Sequence, residues 1–339
     1  MINEGISVAV CCYNSEKRLP HTLKHLFNQK VDLNFKWEII IINNNSSDNT
    51  KEAALKSYKD SGGNIPFSVV YEFRQGLIFA REKAFEAAKY NFVCFVDDDN
   101  YLDENYIKTA FDIMSKNSEI AVLGGYSEPI AEIDFPEWFS KFKNAYAIGK
   151  QNTFSGDITK IKGYVYGAGF IVNKKCWNYI KAKGFRCFTT GRKGKSFSSG
   201  EDVEICIAMQ IAGYKIWYDE NLKLKHFTPN ERLTATYLKK FYKGNGKTYP
   251  LLNIYKYYLY YDTHPSEYLK LPLWFDRFLF MLKDFQKYFN FFLFKNKLSI
   301  EHFEAVEYFE ELKSLLKINF RLKKHYSEIL ELKRNLQRK

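Results

Sequence analysis

The chain has 339 residues, with 51 Lys and Arg against 39 Asp and Glu, so its formal net charge is +12. Hydrophobic residues make up 46% of it and aromatic residues 18%; this excludes intrinsic disorder, because burial of so much apolar surface offsets the entropy of ordering. The charge is uneven: residues 228–339 hold 21 basic and 12 acidic side chains, a net of +9, which leaves +3 for the first 227 residues.

Other patterns exclude further classes. A membrane-spanning helix needs about 20 consecutive apolar residues, and the best candidate, 288–294, is bounded by Lys287 and Lys295. The N-terminal segment does not resemble a signal peptide. The six cysteines form no CxxC pair, so buried thiols in a reducing cytoplasm are expected. No nucleic-acid-binding motif accompanies the positive charge, so nucleic acid is not expected as a partner.

Short apolar runs alternate with helical patterns over the first 125 residues. The sequence predicts strands at 6–12, 37–42, 67–71, 92–96 and 120–123. It predicts helices between them, at 19–29, 49–61, 77–90 and 104–116. Continuous apolar strands separated by helices predict an α/β fold with a mainly parallel sheet covered on both faces.

After about residue 126 the pattern becomes irregular. A strand with a glycine-rich bend is predicted at 163–173, a helix at 201–212, and short strands at 214–218 and 222–226. From Leu233 onward the pattern is helical, with weak breaks predicted at 244–246, Pro250, Pro265 and Pro272. The chain is therefore predicted to divide into a domain at 1–228 and a basic, aromatic-rich helical region at 229–339.

Three consecutive carboxylates, Asp97, Asp98 and Asp99, follow a predicted apolar strand. Ligands of parallel sheets bind at the carboxyl ends of strands. Three adjacent like charges repel one another unless a cation or several donors neutralise them. A divalent cation, Mg2+ or Mn2+, fits this arrangement. An acidic surface loop that caps the following helix is the alternative.

Two further polar features lie downstream. Glu201 and Asp202 begin a predicted helix, where favourable interaction with the helix dipole alone would explain them. His226 ends a short strand, and a lone histidine is more often a satisfied surface or core group than a ligand. Their combination with the aspartate triplet favours a shared site.

Seven segments resemble, in order, those of family 2 glycosyltransferases, which have the GT-A fold. They are VAVCCYN at 8–14, IIIINNNSSDNT at 39–50, GLIFAREKAFEAA at 76–88, FVDDDN at 95–100, GAGF at 167–170, GEDVEIC at 200–206 and the histidine at 226. The resemblance covers about residues 5–230. It implies a Rossmann-like sheet, a nucleotide-sugar donor and an inverting transfer, and it leaves the C-terminal helical region outside.

The resemblance implies a donor site at the ends of the first strands. Tyr13, beside Asn14, matches an aromatic residue that packs against uracil. Asn44 lies where the family usually has an Asp that reads the base; because an amide both donates and accepts, UDP is the expected nucleotide and another nucleotide stays open. Arg81 would approach base, ribose or phosphate, with a solvated helix-face position as the alternative.

The aspartate triplet corresponds to the DxD motif of the family. Asp97 and Asp99 match its outer carboxylates, and Asp98 between them is expected at the donor. The resemblance implies that Asp97 faces the ribose or base. It also implies that Asp99 and His226 hold the Mn2+ or Mg2+ ion that bridges the diphosphate.

The GED segment matches the catalytic end of the family's site. Asp202 matches the catalytic base, and Glu201 beside it is expected at the donor. Gly167 and Gly169 would let the backbone approach the donor sugar closely, which a side chain would prevent. A strand bulge is the alternative explanation of these glycines.

The combined expectation is a metal-dependent hexosyltransferase of bacterial surface polysaccharide or glycolipid assembly, cytoplasmic or peripheral at the inner face of the cell membrane. Its acceptor would be a glycan or a lipid-linked molecule. Residues 271–297 interleave Trp, Phe and Leu with Lys and Arg, so docking on an anionic membrane surface and plain bundle packing both stay open.

Three alternatives compete with this expectation. A sugar-phosphate nucleotidyltransferase would need a glycine-rich phosphate loop after the first strand, where CCYNSEKRLP has no glycine. A catalytically inactive nucleotide-sugar-binding module would keep the fold without turnover. In the third, the basic C-terminal region carries the function and the preceding domain is a scaffold.

Overall fold

The computed structural model describes residues 4–192, 200–260 and 273–337. Within these ranges the strands β1 to β9 lie at Ile6–Cys12, Trp37–Asn43, Phe67–Tyr71, Phe92–Asp97, Asn100–Leu102, Ile120–Ile130, Gly156–Asp157, Ile171–Asn173 and Lys215–Phe227. The helices α1 to α10 lie at Leu19–Phe27, Thr50–Asp60, Leu77–Ala87, Tyr106–Lys116, Lys174–Ala182, Glu201–Ile211, Ala235–Tyr260, Leu273–Leu282, Phe285–Phe294 and Ile300–Gln337. Two 3-10 helices lie at Glu137–Tyr146 and Asn230–Arg232.

One mixed sheet organises the first part of the chain. Its strand order is β3-β2-β1-β4-β8-β6-β9-β5, with β7 paired to β9. Strands β1 to β4 are parallel, as predicted, because a helix returns the chain after each of them. The predicted strands at 214–218 and 222–226 form the single strand β9, which pairs with β6 across a register shift between Gly124 and Tyr126.

The alternation of side chains along β1 and β2 supplies two cores, one on each face of the sheet. Val8 and Val10 pack with Leu23 and α4 on one face. Ala9 and Ile40 pack with α3 and α6 on the other. Both faces are covered, which explains why these strands are continuous apolar runs.

The C-terminal helices pack on the same sheet domain. Helix α7 is continuous, so the breaks predicted at 244–246 and Pro250 are wrong. A Cβ at Gly246 would lie 2.4 Å from the carbonyl oxygen of Glu307 on α10, so this glycine permits close contact of the two helices. Pro265 and Pro272 lie outside the described residues. Tyr255 of α7 and Ile329 of α10 join the core formed with α6.

Across the described ranges, no helix combines the length and the apolar composition needed to cross a membrane.

Candidate active site

A cavity of about 880 Å3 lies at the carboxyl ends of β1, β2 and β4. Parallel strands bring their ends to one edge of a sheet, so segments distant in sequence meet there. Ten of the predicted site residues line this cavity: Tyr13, Asn44, Arg81, Asp97, Asp98, Asp99, Gly167, Glu201, Asp202 and His226. The cavity is therefore the candidate active site.

Arginine side chains neutralise two of the three aspartates that follow β4. Asp98 accepts a hydrogen bond from the Ser15 hydroxyl. It also forms an ion pair with Arg18, whose Nη2 lies 2.7 Å from Oδ2 of Asp98. Nη1 of Arg232 lies 2.9 Å from Oδ2 of Asp99. Repulsion within the triplet is thus offset by two arginines that the sequence analysis missed.

His226 approaches Asp99 from the end of β9. Its Nε2 lies 3.4 Å from Oδ1 of Asp99, because β9 pairs with β5 next to the turn that carries the triplet. Although burial opposes ionisation, His226 and Arg232 hold the pKa of Asp99 well below its usual range. Nδ1 of His226 is buried and has no hydrogen-bond partner among the described residues. Oδ1 of Asp99 and Nε2 of His226 therefore lie side by side as potential metal ligands.

Asp97, the last residue of β4, lies at the start of the turn. Its backbone N–H donates to Oδ1 of Asn100 at 3.0 Å, which closes the turn. Burial and the neighbouring Asp99 raise the pKa of Asp97.

In the part of the chain that the structure describes, no group of three or more His, Cys, Asp or Glu side chains is arranged to hold a metal ion. A cation here would rely on few protein ligands, such as Asp99 and His226.

Asp202 is fixed at the start of α6 by two backbone donors. Its Oδ2 accepts from the N–H of Gly167 at 2.9 Å, and its Oδ1 accepts from the N–H of Val203 at 2.9 Å. A Cβ at Gly167 would lie 2.5 Å from Nη2 of Arg81 and 3.3 Å from Oδ2 of Asp202. Glycine at 167 therefore allows the backbone to reach the Asp202 carboxylate, whereas its approach to a donor sugar stays a prediction.

A buried ion pair holds the adjacent Glu201. Nη1 of Arg81 lies 3.0 Å from Oε1 of Glu201, and the Arg81 guanidinium lies 4.7 Å from the centre of the Phe170 ring. Burial raises the pKa of Glu201 to about 7, against the effect of Arg81. Arg81 thus joins α3 to α6 through the protein interior, so the solvated helix-face alternative is wrong.

Tyr13 and Asn44 form the end of the cavity next to β1 and β2. The Tyr13 hydroxyl accepts from Nε2 of Gln75 at 3.3 Å. Nδ2 of Asn44 donates to the carbonyl oxygens of Glu72 and Arg74, and its Oδ1 accepts from the N–H of Gly76 at 2.9 Å. Asn44 therefore shapes the loop before α3, and its Oδ1 keeps one lone pair for a ligand.

Two predicted donor-binding residues make other contacts. Oδ1 of Asn14 accepts from the N–H of Ser47 at 2.8 Å, which ties together the loops after β1 and β2. A Cβ at Gly169, where φ is +73°, would lie 2.4 Å from Cδ2 of Leu224 and 2.7 Å from the Tyr106 hydroxyl. Gly169 is thus required by packing beneath the cavity, and contact with a donor sugar does not account for it.

Side chains from the C-terminal helices line the same cavity, beyond the boundary predicted at residue 228. They include Tyr242, Asn245 and Tyr249 of α7 and Glu304 and Glu307 of α10. Their spacing of three, four or seven residues places each set on one helix face. This spacing is visible in the sequence and could have predicted a polar face on each helix. Lys162, Tyr164 and Tyr166 line the cavity from the segment before β8, and they too were missed.

A family model described as Glycosyl transferase family 2 matches residues 7–177, just over half of the chain. The chain belongs to glycosyltransferase family 2. The prediction from its seven motifs is thereby confirmed.

Named relatives of this family 2 glycosyltransferase act on different substrates. A glucosyl-dolichyl phosphate glucuronosyltransferase of Haloferax volcanii is 21% identical over 249 residues, 71% of this chain and 76% of that protein. A poly-beta-1,6-N-acetyl-D-glucosamine synthase of Staphylococcus epidermidis is 28% identical over 170 residues, 47% of this chain and 40% of that protein. A protein of Bacillus subtilis named EpsH is 33% identical over 106 residues. The match spans 31% of this chain and only 29% of the length of that protein.

Two solved structures share the fold. TarS 1-349 of S. aureus in complex with UDP-GlcNAc superposes with a TM-score of 0.55 at 15% identity, over 98% of this chain and 90% of that chain. GalNAc-T7 with UDP, GalNAc and Mn2+ superposes with a TM-score of 0.52 at 15% identity, over 75% of this chain and 51% of that chain. This family 2 glycosyltransferase therefore has the predicted GT-A fold.

Proposed function

We propose that this protein is an inverting glycosyltransferase that moves a sugar from a UDP-linked donor to an acceptor hydroxyl, in surface polysaccharide or glycolipid assembly of a bacterium. The observation that carries the proposal is the position of Asp202, which lines the same cavity as the aspartate triplet. The names of the relatives, which include a poly-N-acetylglucosamine synthase, and the UDP-GlcNAc complex of TarS support the substrate class.

The reaction is a single displacement. Asp202 accepts the proton of the acceptor hydroxyl, whose oxygen forms a bond to the anomeric carbon of the donor sugar. The bond from that carbon to the diphosphate oxygen breaks, and UDP leaves with the electron pair from the opposite face. An α-linked donor then yields a β-glycoside. Gly167 orients the base through its hydrogen bond to Oδ2.

The donor occupies the end of the cavity near β1 and β2. Tyr13 packs against the uracil ring, and the remaining lone pair of Asn44 Oδ1 accepts from the base. Asp97 faces the ribose. Arg192 and Arg232 line the cavity beside the triplet and supply positive charge for the diphosphate.

Asp99 and His226 are the residues that would hold a divalent cation. Nε2 of His226 and Oδ1 of Asp99 lie 3.4 Å apart, close enough to bind the same ion, and an imidazole ligand favours Mn2+ over Mg2+, which prefers oxygen ligands. When bound, the ion offsets negative charge on the departing diphosphate. Arg232 would remain on the other oxygen of Asp99.

A thermal-shift screen of nucleotide sugars with and without Mn2+ tests the proposed function. We expect a UDP-sugar to raise the melting temperature, with a larger rise when Mn2+ is present, because a ligand of the native state stabilises it by mass action. Absence of a shift with any nucleotide sugar would contradict the proposal. A shift without release of UDP on prolonged incubation would favour the inactive binding module, and a requirement for a nucleoside triphosphate would favour the nucleotidyltransferase.

Helices α8 and α9 expose an apolar face. Eight of their side chains are between 39% and 79% exposed: Leu279, Phe280, Leu282, Phe285, Phe289, Phe292, Leu293 and Phe294. Four exposed lysines flank this face: Lys283, Lys287, Lys295 and Lys297. Apolar side chains fringed by lysines match an anionic bilayer surface in both hydrophobicity and charge.

The apolar face lies next to the cavity. The Phe292 ring stacks on His302 of α10 at 5.5 Å, and Ile300 and Glu304 of the same helix line the cavity. Docking of this face on a membrane would therefore bring the cavity close to lipid-linked acceptors. The proposed location is the inner surface of the cell membrane.

Replacing Phe289 and Phe294 together by Ser should weaken binding to vesicles of phosphatidylcholine and phosphatidylglycerol by roughly a hundredfold or more, because the two phenyl rings together lose about 3–6 kcal/mol of burial. Flotation at low salt measures the change. Phe73→Ser, which alters a side chain that is 78% exposed near β3, is the matched control and should float like the unaltered protein. Equal flotation of the double variant, or no flotation of the unaltered protein, would contradict membrane docking and favour simple bundle packing of these helices.

A further inference from the structure

The cavity extends past Asp202 to a second end formed by the C-terminal helices. Tyr164 and Tyr166 line one wall of this end, and Tyr249 of α7 and Glu307 of α10 line another. Gly167, whose N–H binds Oδ2 of Asp202, directly follows Tyr166 in the chain, so the base lies next to this end. A molecule bound here would present its atoms to the base from the side away from the aspartate triplet.

The wall from α7 and α10 is a connected hydrogen-bonding group. Glu307 interacts with Asn245 and Tyr249 through side-chain hydrogen bonds. Burial raises the pKa of Glu307 to about 7 against the effect of these bonds, so its carboxyl exchanges between a donor and an acceptor near neutral pH. The close contact at Gly246 brings α10 near enough to α7 to form this group.

The two ends of the cavity differ in charge. Arg18, Arg192 and Arg232 interact with the aspartate triplet at the donor end. Carboxyl groups of Glu304 and Glu307 line the end formed by the C-terminal helices. Because the three arginines balance the three aspartates at the first end, an anionic ligand is repelled mainly from the second end.

Lys162 does not reverse the charge of the second end. Its ammonium lies 4.0 Å from the centre of the Tyr166 ring and 3.3 Å from Oε1 of Gln151. Burial lowers the pKa of Lys162 to about 8, so it stays mostly protonated at pH 7, but one ammonium does not balance the carboxyl groups of Asp202, Glu304 and Glu307. The second end is thus rich in tyrosine, amide and carboxyl groups, which suits a ligand with an apolar ring face and many hydroxyls.

We propose that α7 and α10 form the acceptor subsite and that it takes an uncharged sugar residue, with the ring against Tyr164 and Tyr249 and the hydroxyls on Asn245 and Glu307. The proposal rests on the proposed function, since Asp202 must act as the base. It assigns the C-terminal helices a direct part in substrate choice. It also predicts that acceptors ending in a uronate or a phosphate are rejected.

The test uses the full chain and the UDP-sugar that gives the largest thermal shift. Candidate acceptors are p-nitrophenyl glycosides of neutral hexoses and N-acetylhexosamines, compared with p-nitrophenyl glucuronide and glucose 6-phosphate. Mass spectrometry detects the products, and UDP release gives the rates. We expect glycosylation of at least one neutral glycoside and no detectable transfer to the two anionic compounds. Transfer to an anionic compound at an equal rate, or to no neutral glycoside, would overturn the proposal.

Variants separate acceptor binding from donor binding. Glu307→Gln should raise the KM for the neutral acceptor about tenfold, the effect of one lost hydrogen bond in a binding site, while the Kd for the UDP-sugar changes less than twofold. Glu310→Gln is the control, because Glu310 lies on the same helix and faces Lys247 and Lys313 at 3.9 Å. Equal loss of donor affinity in Glu307→Gln would overturn the subsite. Absence of any UDP-sugar binding by the unaltered protein would instead remove the proposed function, and this subsite with it.

Discussion

Asp202→Asn should lower the rate of sugar transfer by roughly 10² to 10⁴, the usual contribution of a general base. The amide cannot accept the proton of the acceptor hydroxyl at neutral pH; its oxygen still accepts from the N–H of Gly167, and only the bond from the N–H of Val203 is lost. The position of α6 and the donor end of the cavity should therefore be kept. The measurements are kcat for transfer, from UDP release with a working acceptor, and the Kd of the UDP-sugar by calorimetry.

Two comparisons make the Asp202 result specific. Asp112→Asn alters an exposed carboxylate that pairs with Lys108 one helical turn away, and it should leave both constants unchanged. A fall in kcat with unchanged donor affinity assigns Asp202 to the chemical step. Turnover of Asp202→Asn within a factor of two of the unaltered protein would show that another group takes the proton.

The sequence predicted the sheet because its signals there are local. The uninterrupted apolar runs of β1, β2 and β4 require burial on both faces, and each run ends in polar turn residues. Those two facts placed Tyr13, Asn44 and the aspartate triplet at one edge of the sheet. The family motifs added Asp202 and His226, and all of these residues line one cavity.

The partners of the triplet could not be predicted, because they depend on tertiary contacts. Arg18 reaches Asp98 across 80 positions of the chain and Arg232 reaches Asp99 across 133. No periodicity links such residues. The triplet was expected to require a cation, and the structure supplies guanidinium groups to two of its members. The net charge of the first 227 residues therefore gives no sign of this site, because one of the two arginines, Arg232, belongs to the basic C-terminal part of the chain.

The glycines of α7 show how tertiary packing overrides a local preference. A glycine inside a helix costs about 1 kcal/mol relative to alanine, which is why Gly244 and Gly246 suggested a break. Close packing of α7 on α10 offsets that cost at Gly246, since a Cβ there would collide with the backbone of α10. The same contact between α7 and α10 places Glu307 at the cavity. Because a helix break was predicted at Gly246, the part of the C-terminal region that lines the site was not predicted.

Arg81→Met should destabilise the protein by about 3–5 kcal/mol, which would make it the largest effect on stability among these variants. The Arg81 and Glu201 side chains are only 2% and 7% exposed, so loss of the guanidinium leaves a buried carboxyl group without its partner. Urea unfolding followed by circular dichroism measures the change in the free energy of unfolding. Lys108→Met, which breaks an exposed ion pair with Asp112, should change that free energy little.

A double variant tests whether the cost comes from the unpaired carboxyl. Arg81→Met combined with Glu201→Gln should recover part of the lost stability, because the amide carries no charge to bury. Transfer should remain slow in both variants, since Glu201 adjoins Asp202 and the ion pair fixes the first turn of α6 against α3. An unfolding midpoint of Arg81→Met equal to that of the unaltered protein would contradict the buried pair. Full transfer activity in that variant would show that the backbone donors of Gly167 and Val203 position the base without the ion pair.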